Sequence, residues 1–226
     1  MNKRLGRKIL DILKREIDLS KELFVVDYVG NDPFEKLVAI VLSQNTSDKN
    51  AIVALTNLKR ISDLSPQGIL KLSNEELEDA LKPSGLQKER AIRLRKIAEE
   101  VIRGFNLKEI LILPVEEARR KLLTLPGIGK KSADVLLAIY GKKTIGVDTH
   151  AARVAKRIGI APSRAGYEGI RGALLEVFGD EENLDLVHRY LIALGRRWCK
   201  AKKPQCDKCP LREICLYAQK TSHMIK

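Results

Sequence analysis

The stretch Leu125-Pro126-Gly127-Ile128-Gly129-Lys130-Lys131-Ser132-Ala133 constrains this chain more than any other. It lies between two segments with helical apolar spacing. Glu116 to Leu123 places Ala118, Leu122 and Leu123 on one side, and Lys130 to Tyr140 carries Ala133, Val135, Leu136, Leu137 and Ile139. Pro126 suits a helix end, and Gly127 and Gly129 permit positive φ, so the chain can reverse within about four residues while its amides stay free. The pattern is helix, hairpin, helix. With no side chains on the two glycines, a phosphate can reach the hairpin N–H groups. The dipole of the following helix and Lys130 or Lys131 add positive potential there. A glycine-capped turn between two core helices is the plainer reading of the same residues.

Charge separates the two readings. The chain has 42 Lys plus Arg against 29 Asp plus Glu, a formal charge of +13. So basic a surface points to a polyanion, commonly nucleic acid, although a Lys-rich surface of the heat-adapted kind gives the same balance. A length of 226 residues, 44% of them hydrophobic, suits one large or two modest domains with a real core. No apolar run approaches a membrane span and the first eight residues lack the apolar core of a signal peptide, so an intracellular protein is expected.

Helical signals recur along the chain. Lys8 to Glu22 reads as an amphipathic helix, with Ile9, Leu10, Ile12, Leu13, Ile17 and Leu19 among charges. Phe24 to Tyr28 has strand-like composition but no partner strand, and reads as a linker. Asp32-Pro33-Phe34-Glu35 combines a cap, a proline at the first helical position and a glutamate three residues after the cap, starting a helix through about Leu42. Ser65-Pro66 and Ser73-Asn74-Glu75-Glu76 are further starts. Asn50 to Leu58, Lys88 to Gly104 and Pro114 to Leu123 have helical spacing. Aromatics total 4% and no alternating run survives, so the fold class is all-α.

Two loops carry unusual residues. Leu42-Ser43-Gln44-Asn45-Thr46-Ser47-Asp48 breaks an apolar run, and the amides of Gln44 and Asn45 can pair with an orphaned base edge or cap a helix. Pro83-Ser84-Gly85-Leu86-Gln87-Lys88 puts a leucine at a turn tip, where it either packs inward or serves as a wedge in a base stack.

After the hairpin the chain reaches Val147-Asp148-Thr149-His150. Lys131 begins a helix roughly 16 Å long, and the seven residues from Gly141 to Val147 span up to about 23 Å, enough to return Asp148 to the level of Lys131. Asp148 also reads as an N-cap, which is compatible because capping fixes the carboxylate. A lysine amine attacks carbon only when uncharged, and Lys130 beside it and the helix N-terminus both disfavour a second positive charge. Lys130 and Lys131 point about 100° apart, so one can face a pocket while the other serves the backbone.

Cys199-x6-Cys206-x2-Cys209-x5-Cys215 uses every cysteine in the chain within seventeen residues. In an intracellular basic protein this means a metal centre rather than disulfides. Zinc accepts four sulfurs, but only one Cys-x2-Cys pair is present, and an iron–sulfur cluster suits the uneven loops and Cys209-Pro210 better. Arg196, Arg197, Lys200, Lys202, Lys203, Lys208 and Arg212 surround the cysteines, so the loop is expected to touch phosphate. His150, His188 and His223 form no metal spacing among themselves, and no second, catalytic metal is expected.

The hairpin, the Val147-Asp148-Thr149-His150 segment and the four-cysteine loop resemble the endonuclease III family of base-excision DNA glycosylases, from about Asp32 to Cys215. The resemblance implies a nucleophilic lysine at Lys131 and an essential aspartate at Asp148. It implies a structural 4Fe-4S cluster on Cys199, Cys206, Cys209 and Cys215. DNA contacts fall on the hairpin residues Leu125, Gly127, Ile128, Gly129 and Lys130, on Gln44, Asn45 and His150, and on a leucine wedge at Leu86. The implied architecture is two helical domains. One is a central six-helix barrel with the helix-hairpin-helix, residues 28–143; the other is discontinuous, residues 1–27 and 144–226, and carries the cluster loop. The implied partner is double-stranded DNA containing a damaged base or abasic site, bound by a monomer away from any membrane.

One departure bears on the lesion. Bacterial members carry a glutamine in a Leu-Ser-Ala-Gln-Ala-Thr-Asp loop that fills the gap left by the flipped base. In register, Asn45 occupies that place here and Gln44 precedes it. Leu42-Ser43-Gln44-Asn45-Thr46 also resembles the matching loop of adenine and mismatch glycosylases, so lesion choice stays open. A bifunctional glycosylase acting on oxidised pyrimidines is the leading reading, with a monofunctional G:T or G:U glycosylase and a non-catalytic DNA-binding protein as the alternatives.

Overall fold

A computed structural model describes residues 3–223; the first two residues of the N-terminal stretch read above lie outside them. Thirteen α-helices occur among the described residues: α1 (Lys3–Glu16), α2 (Pro33–Ser43), α3 (Asp48–Ile61), α4 (Pro66–Lys71), α5 (Asn74–Leu81), α6 (Gln87–Ile102), α7 (Leu107–Ile112), α8 (Val115–Leu122), α9 (Lys130–Ile139), α10 (Thr149–Ile158), α11 (Tyr167–Phe178), α12 (Leu184–Arg197) and α13 (Leu216–His223). There is no β-strand among them, and no helix is long and apolar enough to cross a membrane. The chain divides into two compact units: an inserted unit, Leu23–Leu136, and an interrupted unit formed by the chain up to Glu22 and from Leu137 onward. The second cut falls inside α9. The sequence reading draws these lines at 28 and 143.

Local chemistry sets most helix starts. Asp32 accepts from the Phe34 and Glu35 amides, with Pro33 in the first position, and Ser65 accepts from Gly68. Ser73 and Glu76 close a reciprocal capping box at 2.8 and 3.2 Å. Glu35, expected to do the same for Asp32, reaches instead to the Gly30 amide at 2.9 Å, because the turn before the helix folds that N–H over the first turn. Two other expectations change, and some helices had no expectation at all. The first helix starts at Lys3 and stops at Glu16. Val25–Tyr28 is a packed 3-10 turn rather than a linker, with Val25 and Val26 buried and the Val25 amide bonded to Asp48. The six-residue α7, capped by Asn106, is too short to show periodicity, and the sequence reading singles out no helix there or after α10.

In the inserted unit Leu37, Leu42, Leu55, Leu58, Ile69, Leu77 and Leu94 are fully buried, each contributing about 1.5–3 kcal/mol. The interrupted unit has its own core, in which Ile9 and Leu13 of α1 and Ile17 just after it join Val154, Leu174, Phe178 and Leu191. Gly6 lets α1 lie directly on α11, since a Cβ there would sit 2.2 Å from the Val177 carbonyl oxygen.

The two helices flanking the hairpin are tied by a buried ion pair. Arg119 Nε on α8 stands 3.1 Å from both oxygens of Asp134 on α9, and Asp134 is 0% exposed. Removing one partner leaves an uncompensated buried charge, so Arg119→Met is expected to lose about 3–5 kcal/mol in urea unfolding, with Asp134→Leu in the same chain restoring most of it. A loss below about 1 kcal/mol for the single change would mean that the pair does not fix the hairpin.

Candidate active site and metal centre

The hairpin closes through backbone bonds from Leu125 N to Leu122 O, 3.2 Å, and from Ile128 N to Leu125 O, 3.1 Å. Leu125 and Ile128 turn inward and are buried, so their side chains anchor the loop and only their backbone can face a ligand. Gly127 is left-handed at φ 72°, as expected. Gly129 is not; its carbonyl accepts from the Ala133 amide at 3.0 Å and it opens α9. A Cβ at Gly129 would meet nothing within 4 Å, so the approach there is open, whereas a Cβ at Gly127 would fall 2.0 Å from Arg93 Nε. Lys130 and Lys131 follow, both exposed, on the first turn of α9, where the helix dipole is positive.

The two loops flanking this hairpin in the inserted unit behave differently from one another. Gln44 spends its side-chain amide inside the protein: Nε2 donates to Gly127 O at 3.2 Å and to Ser132 Oγ at 3.1 Å, and Oε1 accepts from Arg93 Nη1. Asn45 is exposed and left-handed at φ 54°. Leu86 does not pack inward; it is 54% exposed and left-handed at φ 51°, just ahead of α6. A leucine held there stores about 1–2 kcal/mol, and such strain marks functional tips.

In the interrupted unit, Asp148 caps α10, accepting from the Ala151 amide at 2.7 Å, and its side chain is 13% exposed. His188 Nε2, from buried α12, stands 3.9 Å from Asp148 Oδ1. The sequence reading considered His188 only as a metal ligand. Its signal was a histidine on the apolar face that Leu184, Val187 and Leu191 define on α12. His150 is half-buried, with Nδ1 3.0 Å from Arg153 Nη2. A guanidinium only donates, so Nδ1 is the acceptor in this contact and Nε2 is the ring's donor.

The four cysteines are free thiols; Cys215 is buried and the others half-buried. Burial pushes the Cys209 thiol up to about 11 and raises that of Cys206, and in both cases Cys215 and Cys199 add to the rise, so the sulfurs share one neighbourhood. No three His, Cys, Asp or Glu side chains among the described residues are close enough to hold a single ion. Tetrahedral zinc needs four sulfurs about 2.3 Å from one centre, whereas a cubane spreads them over separate irons. Arg157 Nη1 lies 3.5 Å from Cys199 Sγ, and the Leu211 amide favours the thiolate of Cys209. This donor set fits an iron–sulfur cluster. The basic residues around it are not one patch. Arg196 and Arg197 pair with Glu22 at 3.7 and 2.7 Å and Arg212 with Asp207 at 3.8 Å, while Lys200, Lys202, Lys203 and Lys208 are exposed.

Comparison with known proteins bears on both halves of the chain. Residues 38–179 match the HhH-GPD superfamily base excision DNA repair protein family, and residues 199–215 match the iron-sulfur binding domain of endonuclease III. Endonuclease III of Sulfolobus acidocaldarius is 33% identical over 210 residues, covering 91% of this chain and 92% of the relative. A non-covalent endonuclease III–DNA complex superposes with a TM-score of 0.81 at 28% identity, over 99% of each chain. A trapped endonuclease III–DNA covalent intermediate gives 0.80 at 28% identity, over 98% of this chain and 99% of that one. The cofactor at residues 199–215 is a 4Fe-4S cluster. Agreement along the whole length of the fold, in a chain whose hairpin and cysteine loop both match, makes this protein a member of the endonuclease III family of base-excision repair enzymes, a DNA glycosylase/AP lyase.

Proposed function

We propose that the protein removes oxidised pyrimidines from double-stranded DNA and cuts the resulting abasic site by β-elimination, with Lys131 as nucleophile and Asp148 as its anionic partner. One observation carries the reading: Lys131 stands exposed on the first turn of α9, two residues after Gly129, where a Cβ would meet nothing within 4 Å and a phosphate can reach the start of the helix. A relative of the same fold has been trapped as a covalent intermediate with DNA, which supports an amine-based route.

The uncharged Lys131 amine attacks C1′ of the extruded nucleotide, the C1′–N bond breaks, and the base departs with the electron pair and a proton. The carboxylate of Asp148, held by its cap bond, steadies the positive charge developing on the sugar. The sugar ring then opens, C1′–O4′ breaking with O4′ taking the proton lost from the lysine nitrogen, to give an imine that acidifies C2′; loss of the C2′ proton expels the 3′ phosphate and cuts the strand. The hairpin amides and the Nε2–H of His150 are suited to phosphate, Asn45 to the gap left by the base, and Leu86 to the stack beside it. Bound by Cys199, Cys206, Cys209 and Cys215, the cluster supplies a rigid cross-link to a loop whose exposed lysines reach the DNA backbone. Such a reading places the protein with the cell's DNA, in cytoplasm or nucleoid.

A duplex with one thymine glycol should yield free base, a nick 3′ to the lesion, and a borohydride-stable protein–DNA adduct. Free base with an intact strand would make the protein a monofunctional glycosylase, and binding without either product a DNA scaffold.

A further inference from the structure

The amide of Gln44 has two N–H donors and one carbonyl, and all three functions are used: Nε2 on Gly127 O and Ser132 Oγ, Oε1 on Arg93. These partners lie 83, 88 and 49 residues away in sequence. Offering an Nε2 N–H to a base would take it from Gly127 O or Ser132 Oγ. Arg93 itself lies over the hairpin, since a Cβ at Gly127 would fall 2.0 Å from its Nε.

The backbone of the same loop is held from the other side. Arg90, only 1% exposed, donates from Nη1 to Val41 O at 2.5 Å, from Nη2 to Gln44 O and to Ser84 O at 3.2 Å, and from Nε to Gly85 O at 2.8 Å. Val41 O, in the last turn of α2, also accepts from the Gln44 amide at 3.3 Å, and Gln44 O lies on the residue that caps that helix; Ser84 and Gly85 form the turn that lifts Leu86. A single guanidinium therefore joins the Asn45 loop to the Leu86 turn, and Gln44 joins that loop to the hairpin. Asn45 and Leu86, the left-handed non-glycine residues at the two tips, each sit next to a carbonyl so pinned.

We propose that Gln44 is a positioning residue for nucleotide extrusion: with Arg90 and Arg93 it locks the Asn45 loop, the Leu86 turn and the hairpin into one body, so that plug, wedge and phosphate grip meet DNA in a fixed register. The inference rests on the reading above, in which Asn45 and Leu86 enter the base stack. Loops that must each be ordered at every encounter lose rate where both have to act together, which is the extrusion of a paired base. A preformed abasic site carries no base to extrude, so cleavage there depends far less on the register.

The experiment compares single-turnover rates on a thymine-glycol duplex and on a preformed abasic duplex. Gln44→Leu should slow excision by about 10–100-fold while abasic-site cleavage changes less than about threefold. Asn45→Ala should slow excision as well, and adding Gln44→Leu to it should cost little more, because both changes act through one loop. Ser132→Ala, which removes one amide partner without touching Gln44, should give the same split in weaker form. Equal slowing of both reactions by Gln44→Leu, or fully additive losses in the double variant, would overturn the proposal. Failure of the underlying reading looks different: the wild-type protein then cleaves neither duplex.

Discussion

Lys131→Gln protein should fold and bind lesion DNA yet lose strand cleavage by about 10³-fold or more, together with the whole of its borohydride-trapped adduct. The expectation follows from where the side chain is. Lys131 is exposed on the first turn of α9, so its replacement disturbs no core contact and should shift stability by no more than about 0.5 kcal/mol. The phosphate grip proposed for the hairpin would rely on its backbone and on the helix terminus, which the substitution leaves in place. What disappears is the only amine at that position, and an amide nitrogen cannot form an imine. Lys130→Gln is the matched control: it removes one positive charge from the same turn, about 100° around the helix, and should weaken DNA binding mildly at low salt while leaving trapping intact. The readouts are denaturing gels after borohydride, single-turnover cleavage and thermal unfolding. Normal trapping by the Lys131 variant, or its loss in the Lys130 variant alone, would move the nucleophile off position 131.

Features written by neighbouring residues were legible before any coordinates. Ser73 with Glu76, Ser65 with Pro66, and Asp148 before Thr149 are caps, and capping is decided within about four residues of sequence. The hairpin was legible for the same reason, except that Gly129 proved to be a helix start rather than a left-handed turn residue. The cysteine loop needed only spacing. Partners distant in sequence were not legible. Gln44 looked like a base reader because its amide is polar and lies in a loop; the groups that use it up are dozens of residues away and no local pattern points to them. Arg90, to which no local pattern in the sequence draws attention, is buried on four carbonyls. Its burial is tolerable because four of its five N–H donors find carbonyls in place of water. At Leu86 the sequence leaves burial and exposure both open, since burial is the usual fate of a leucine, and the backbone that lifts its turn decides for exposure.

Asp148→Asn separates structure from chemistry at the second proposed catalytic position. Asparagine caps helices about as well as aspartate, and its Oδ1 can accept the Ala151 amide in the same 2.7 Å bond. The helix therefore keeps its start, and the loss is the favourable interaction of a negative charge with the N-terminal dipole, about 0.3–1 kcal/mol. That should lower Tm by about 1–4 °C in a chain of this size. His188, at 3.9 Å from Oδ1, would then face a neutral amide where it now faces a carboxylate. Catalysis should respond far more. The departing base leaves positive charge on the sugar, and an amide dipole stabilises it much less than a fixed anion, so base excision should slow by about 10²–10⁴-fold. Substrate binding should change little or tighten, since removing a negative charge near phosphate cannot weaken electrostatic attraction. Single-turnover excision, equilibrium binding and calorimetry on the same preparation decide the matter. If excision stayed within about threefold of wild type while Tm fell as stated, Asp148 would be a helix cap and nothing more, and the anion that steadies the sugar would have to be sought elsewhere in the protein.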